Sequence, residues 1–112
     1  MEEFIRYLSS KIEEGKAETA ALLADGRRDD ANFAKVCTNI YDVCRTVSQA
    51  LMNRSGAGTG AIRAQLERFR TEWSAALEKA KQHGNVSGIA VEETKLAALD
   101  DIIAHFREVT EA

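Results

Sequence analysis

Asp101, His105 and Glu108 are spaced by four and then three residues, so on a helix one imidazole and two carboxylates share a face. Such a set suits a borderline transition metal. A working metal site also wants a dry, enclosed setting with groups behind its ligands. This face lies opposite Leu99, Ile103 and Phe106, which form the apolar side of the same segment. The expectation is therefore a solvated polar face, with no metal and no cofactor. Di-metal bundles use inward Glu-x-x-His pairs, and neither His83 nor His105 has a glutamate three residues before it.

Cys37 and Cys44 are seven residues apart in one helical stretch, roughly 10 Å along its axis and beyond disulfide reach. They lack the C-x-x-C spacing of redox pairs and the four-ligand pattern of structural zinc. Sharing a stripe with Ile40 and Val47, they read as small core hydrophobes and free thiols of a reducing compartment. Gly56, Gly58 and Ala61 fit G-x-G-x-x-[G/A], but the segment before them is helical and the Lys-Ser/Thr of a P-loop is missing. A helix connector is the better reading. Neither His83, in a helix stop, nor His105, on the polar face, can be placed beside a serine or cysteine with an orienting acid. No catalytic residue is assigned, and an enzyme is not expected.

The elements that position these residues are set by period and punctuation. The 112 residues suit one domain, and 45% apolar content is enough for a core. Proline is absent, so breaks fall on Ala24-Asp25-Gly26, on Asn53 to Gly58, and on His83-Gly84-Asn85. Between them, apolar residues recur at helical spacing. The first stripe is Phe4, Ile5, Leu8, Ile12, Leu22 and Leu23, with Gly15 and Thr19 among them. Phe33, Val36, Cys37, Ile40, Cys44, Val47 and Leu51 form the second. Ile62, Leu66, Phe69, Trp73, Ala76, Leu77 and Ala80 make the third; Leu96, Leu99, Ile102, Ile103 and Phe106 make the fourth. These predict helices over about 2–24, 29–53, 59–83 and 88–111 in an all-α, antiparallel up-down-up-down four-helix bundle spanning residues 1–112. Asp29, Thr59 and Ser87 are the expected N-caps, with Val86 and Val91 at staple spacing around Ser87.

Charge narrows the function class. The chain carries −3 overall, without the positive excess a general nucleic-acid binder uses to release counterions. Residues 54–83 hold most of the local basic charge, in Arg63, Arg68, Arg70, Lys79 and Lys81, next to the acidic fourth segment. Internal complementarity between the two is expected. Part-buried, Arg70 and Glu92 would pair; at a stripe edge, each instead lays its stem on the core with its head in water. No apolar run reaches the roughly 18 residues of a membrane span, and Met1-Glu2-Glu3 lacks a signal-peptide pattern. A cytoplasmic location is expected. Four-helix bundles host many activities. The leading expectation is a small non-enzymatic bundle acting through a protein partner or as a homo-oligomer, with Tyr7, Val43, Met52 and Ile89 as surface candidates. A small-molecule or metal-binding bundle is the alternative.

Overall fold

Two glycines in the left-handed region mark where helices stop. Gly26 has φ 74° and Gly84 has φ 63°, a conformation that costs residues with a Cβ about 1 kcal/mol or more. Each closes a Schellman pair. Arg27 N–H donates to the Leu22 carbonyl at 2.9 Å and Gly26 N–H to Leu23 at 3.1 Å; Asn85 N–H donates to Ala80 at 3.0 Å and Gly84 N–H to Lys81 at 3.1 Å. The computed structural model describes residues 1–54 and 58–111. It has four helices, α1 (Glu2–Ala24), α2 (Arg28–Met52), α3 (Thr59–Gln82) and α4 (Val86–Glu111), and no strand among the described residues.

The expected spans hold to within two residues, but the starts are built differently. After the first Schellman turn the chain re-enters a helix at once, so Arg27 occupies the N-cap position of α2 without a side-chain cap bond. Asp29 and Asp30 fall inside the first turn, where they meet the positive end of the helix dipole. Arg27 reaches forward to Asp30, Nη2 to Oδ2 at 2.7 Å. Gly58, in extended backbone, precedes α3, which leaves Thr59 as its first residue instead of its cap. At α4 the cap is Asn85, whose Oδ1 accepts from Gly88 N–H at 3.0 Å. Asn85 thus ends one helix with its amide and starts the next with its side chain. Ser87 becomes the second residue of α4, and Val86 stands 79% exposed where a staple was expected.

The helices pack side by side around one core. α1 buries Phe4, Leu8 and Ile12; α2 buries Ile40, Tyr41 and Cys44; α3 buries Ile62 and Leu66; α4 buries Ala98, Leu99, Ile102, Ile103 and Phe106. A fully buried side chain of this size contributes about 1.5–3 kcal/mol. Phe4 meets Phe106 edge-on, ring centres 5.2 Å apart. These residues lie in the first half of α1 and α3 and from the middle onward of α2 and α4, so the core is concentrated at one end. At the other end the expected stripes are incompletely covered: Leu23 is 55% and Phe33 39% exposed. α1 and α3 make no contact.

The edges pair differently from expectation. Arg70 bonds Asp100 across α3–α4, and Arg107 of α4 reaches Glu67 of α3 at 3.8 Å. Glu92 pairs within its own helix, 3.3 Å from Lys95 Nζ, while Lys95 lies over the Trp73 ring at 5.0 Å. The Arg70–Glu92 pair therefore does not form: Arg70 is engaged by Asp100 and Glu92 by Lys95. Glu92 Oε2 is buried and has no hydrogen-bond partner, its approach to Lys95 being poorly aligned. Thr19 turns its hydroxyl onto the Gly15 carbonyl at 2.8 Å.

At Gly15 the backbone of α1 lies close against Thr38 of α2. A Cβ there would fall onto Thr38 Oγ1 and lie 3.0 Å from Thr38 Cβ and 3.1 Å from Cγ2. In a free helix, replacing glycine by alanine stabilises by about 1 kcal/mol. Here Gly15→Ala is expected to destabilise by about 1–2 kcal/mol through overpacking, and adding Thr38→Ala is expected to recover most of the loss. Thermal unfolding followed by circular dichroism checks this; a single variant more stable than the parent contradicts the close approach.

Candidate functional site

Tyr7, on the edge of the α1 stripe next to Leu8, and Tyr41, next to Ile40 on α2, extend toward α4 from two sides. They meet at one oxygen: Tyr7 Oη donates to Asp101 Oδ2 at 2.5 Å, and Tyr41 Oη donates to the same atom at 2.5 Å. Tyr41 is 4% exposed. One turn further along α4, His105 lies flat on the Tyr7 ring, centres 3.6 Å apart and planes 7° from parallel. Its Nδ1 is 3.5 Å from Glu108 Oε2. Lys11, one turn beyond Tyr7 on α1, sets its ammonium 5.6 Å from the Tyr41 ring centre. Three helices are joined at this point by one carboxylate and both of the chain's tyrosines.

The electrostatics follow from that geometry. Burial first, then the hydrogen bond to Asp101 and its negative charge, pushes the Tyr7 phenol from 10.0 up to about 12. Burial and the same two effects of Asp101 raise Tyr41 further. Burial works against the Asp101 carboxylate, yet hydrogen bonds from Tyr41 and Tyr7 and the charges of Lys11 and His105 hold it below its usual range. At neutral pH the pair of phenols is protonated and the carboxylate is ionised. The shared carboxylate thus ties α1, α2 and α4 together.

The expected solvated face stays exposed at Asp101 and Glu108. In addition, Asp101 bonds the tyrosines of α1 and α2 and His105 stacks on Tyr7. His105 keeps 26% of its side-chain surface and Glu108 keeps 77%. The three do not converge on one point, and no group of three or more His, Cys, Asp or Glu among the described residues is placed to hold a metal ion. Of the four expected surface residues, Val43 is 39% exposed. Tyr7 is bonded into the cluster, Met52 packs against the core, and Ile89 is half-buried.

Other candidates resolve simply. Cys44 is fully buried in the core and Cys37 half-buried beside it, both as free thiols. Burial raises both, Cys44 to about 12, which leaves little thiolate to act as a nucleophile. His83 is exposed at the C-cap of α3. Gly56 and Ala57 of the glycine-rich segment lie outside the described residues. No helix among the described residues is long and apolar enough to cross a membrane.

What sequence reasoning did not isolate is the surface flanking the Gly15–Thr38 contact. On the α4 side, Leu22, Phe33, Ala34 and Cys37 line a recess of about 470 Å³. On the far side, Ile12, Thr19, Ala20, Leu23 and Ala31 line a groove of about 550 Å³. The available signal was Leu22-Leu23, two adjacent leucines of which one helix face can bury only one fully.

Asp101→Ala is expected to cost about 1–3 kcal/mol, since it leaves two hydroxyls without their acceptor, and to bring both tyrosine titrations back toward 10. The folded state holds the Tyr7 proton more tightly than the unfolded chain does. The matching stability is complete below pH 10 and is lost as pH rises toward about 12, with Tyr41 extending the loss. Asp101 has the opposite sign: its contribution, present above 3.8, fades as pH falls through its lowered folded value. Tyrosinate absorbance and denaturant melts across pH measure both; a parent protein whose tyrosines ionise at 10 contradicts the cluster. The chain as a whole matches no known protein-family model, no curated protein and no solved structure.

Proposed function

We propose that the chain is a non-enzymatic, up-down-up-down bundle that works by binding another protein through the open end of its α1–α2 hairpin. The topology is supported by how numbers run across each seam. Ser9 meets Arg45 and Gly15 meets Thr38 between α1 and α2. Phe4 meets Phe106 and Tyr7 meets Asp101 between α1 and α4. Arg63, Glu67 and Arg70 meet Thr110, Arg107 and Asp100 between α3 and α4. In every case one number rises as the other falls, the pattern of antiparallel neighbours.

The binding reading is carried by one observation: at the hairpin end, Leu23 is 55% and Phe33 39% exposed on apolar stripes that elsewhere enter the core. Large apolar side chains left at the end of an otherwise buried stripe are a feature of interaction surfaces. Free thiols at Cys37 and Cys44 suit a reducing compartment, and the cytoplasm is the location proposed.

Leu23→Asp tests this. Leu23 is exposed enough that the change costs the fold only about 0.7 kcal/mol of helix propensity. The expected result is that a protein retained by the parent, once identified and purified, binds it saturably and loses about tenfold or more in affinity for the variant. Identical retained proteins and identical affinities for parent and variant overturn the proposal.

A further inference from the structure

We infer that the groove on the far side of the α1–α2 hairpin seats an amphipathic helix with acidic flanks, supplied by a different protein. This rests on the protein-binding reading above and specifies its partner. The groove runs beside the close Gly15–Thr38 contact between α1 and α2, and two closely packed helices present a channel that a third helix can occupy. Its floor is continuous with the core: Ile12 and Ala31 are each 1% exposed. Thr19 and Ala20 widen it, and Leu23 stands at its upper end. The accessible small residues Thr19 and Ala20 beside one protruding leucine match an incoming ridge of apolar side chains at i, i+3, i+4 and i+7.

Charge selects the partner. The groove lining holds Lys16, Arg28 and Lys35 against one carboxylate, Asp42. Asp42 is already paired with Arg45 at 3.4 Å, and Lys16 sits near Glu13 at 3.7 Å. Arg28 and Lys35 have no acidic partner within 4.0 Å among the described residues. They lie seven residues apart on α2, about two helical turns or roughly 10 Å, so they face acids of the same spacing on a helix lying along the groove. Such complementarity sets orientation and specificity more than raw affinity.

A second copy of this chain does not fit. Its large exposed apolar residues among those described are Leu23, Phe33, Val43 and Val86, and no two of them share a helix at i, i+3, i+4 or i+7 spacing.

The experiment titrates the full chain into a fluorescently labelled synthetic helix carrying leucine and alanine on one face and glutamate on both flanks. Its control is the same helix with lysine flanks. The glutamate peptide is expected to bind saturably, shift the NMR resonances of Leu23 and Ala31, and weaken with added salt. The exposed double variant Arg28→Glu/Lys35→Glu is expected to bind it about tenfold less tightly or worse, with an unchanged circular dichroism spectrum. Equal or tighter binding of the lysine peptide overturns the inference. So does tighter binding to anionic phospholipid vesicles than to the peptide, or a concentration-dependent dimer abolished by Leu23→Asp. If a natural partner depends on Leu23 but the glutamate peptide does not bind, this inference falls and the protein-binding reading stands. If neither binds, both fall.

Discussion

The position of α4 depends on one carboxylate oxygen shared by two phenols. Leucine, isoleucine and alanine stripes tolerate sliding and repacking, since apolar contacts of similar volume substitute for one another at modest cost. Directional bonds do not. With Tyr7 and Tyr41 both donating to Asp101 Oδ2 at 2.5 Å, α4 has one height and one rotation relative to the α1–α2 hairpin. Phe106 then comes edge-on to Phe4, and His105 lands on Tyr7. Removing water from part of this cluster has a cost, which the pairing offsets because every hydroxyl has an acceptor.

Fixing α4 there also determines what it leaves open. Below Asp101 all four helices contribute to the core; above it, α4 leans toward the start of α2, where Ser87 and Val91 lie near Phe33 and Val36. The second half of α1 is left with α2 as its neighbour. The same constraint that makes one end of the bundle well packed therefore leaves Leu23 and Phe33 exposed at the other. Local stability is expected to be graded along the molecule in the same sense, with fewer buried contacts toward the hairpin tip.

Helix number, class and approximate limits were legible in the sequence because they depend on local information: a 3.6-residue period and glycines that permit positive φ. Gly26 and Gly84 ended helices as expected. Starts were harder to read, since Asp29, Thr59 and Ser87 are all good caps in isolation. The choice fell to whichever residue the preceding turn delivered into position, as Asn85 shows by serving both turn and cap. The site was less legible still. A helical wheel gives the angle of Asp101 and His105 but not which neighbouring side chains reach that angle, so the tyrosine contacts on this largely exposed face were not foreseen. The Arg70–Glu92 pairing failed similarly: stripe position fixed each side chain's direction, while the stagger between α3 and α4 brought Asp100 to Arg70.

Charge separates the two hairpins. Along α3–α4, basic and acidic residues from opposite helices answer one another, Arg70 to Asp100 and Arg107 to Glu67, while Arg63 spreads over the Phe106 ring at 5.7 Å. Half-exposed pairs of this kind add little stability individually, about 0–1 kcal/mol; their effect is to disfavour other pairings of the same helices. Of the basic residues of α3, Arg70 is answered by an acid on α4 and Lys81 by Glu78 of its own helix. On α2 the situation differs. Arg28 and Lys35 stand beside an apolar groove, and the acidic residues of neighbouring α1 near that flank, Glu13 above all, are already engaged with Lys16. Cations placed next to apolar surface and left out of the internal pairing do nothing for the isolated fold that exposed residues elsewhere could not do equally well. Their position becomes intelligible when the groove is treated as half of an interface.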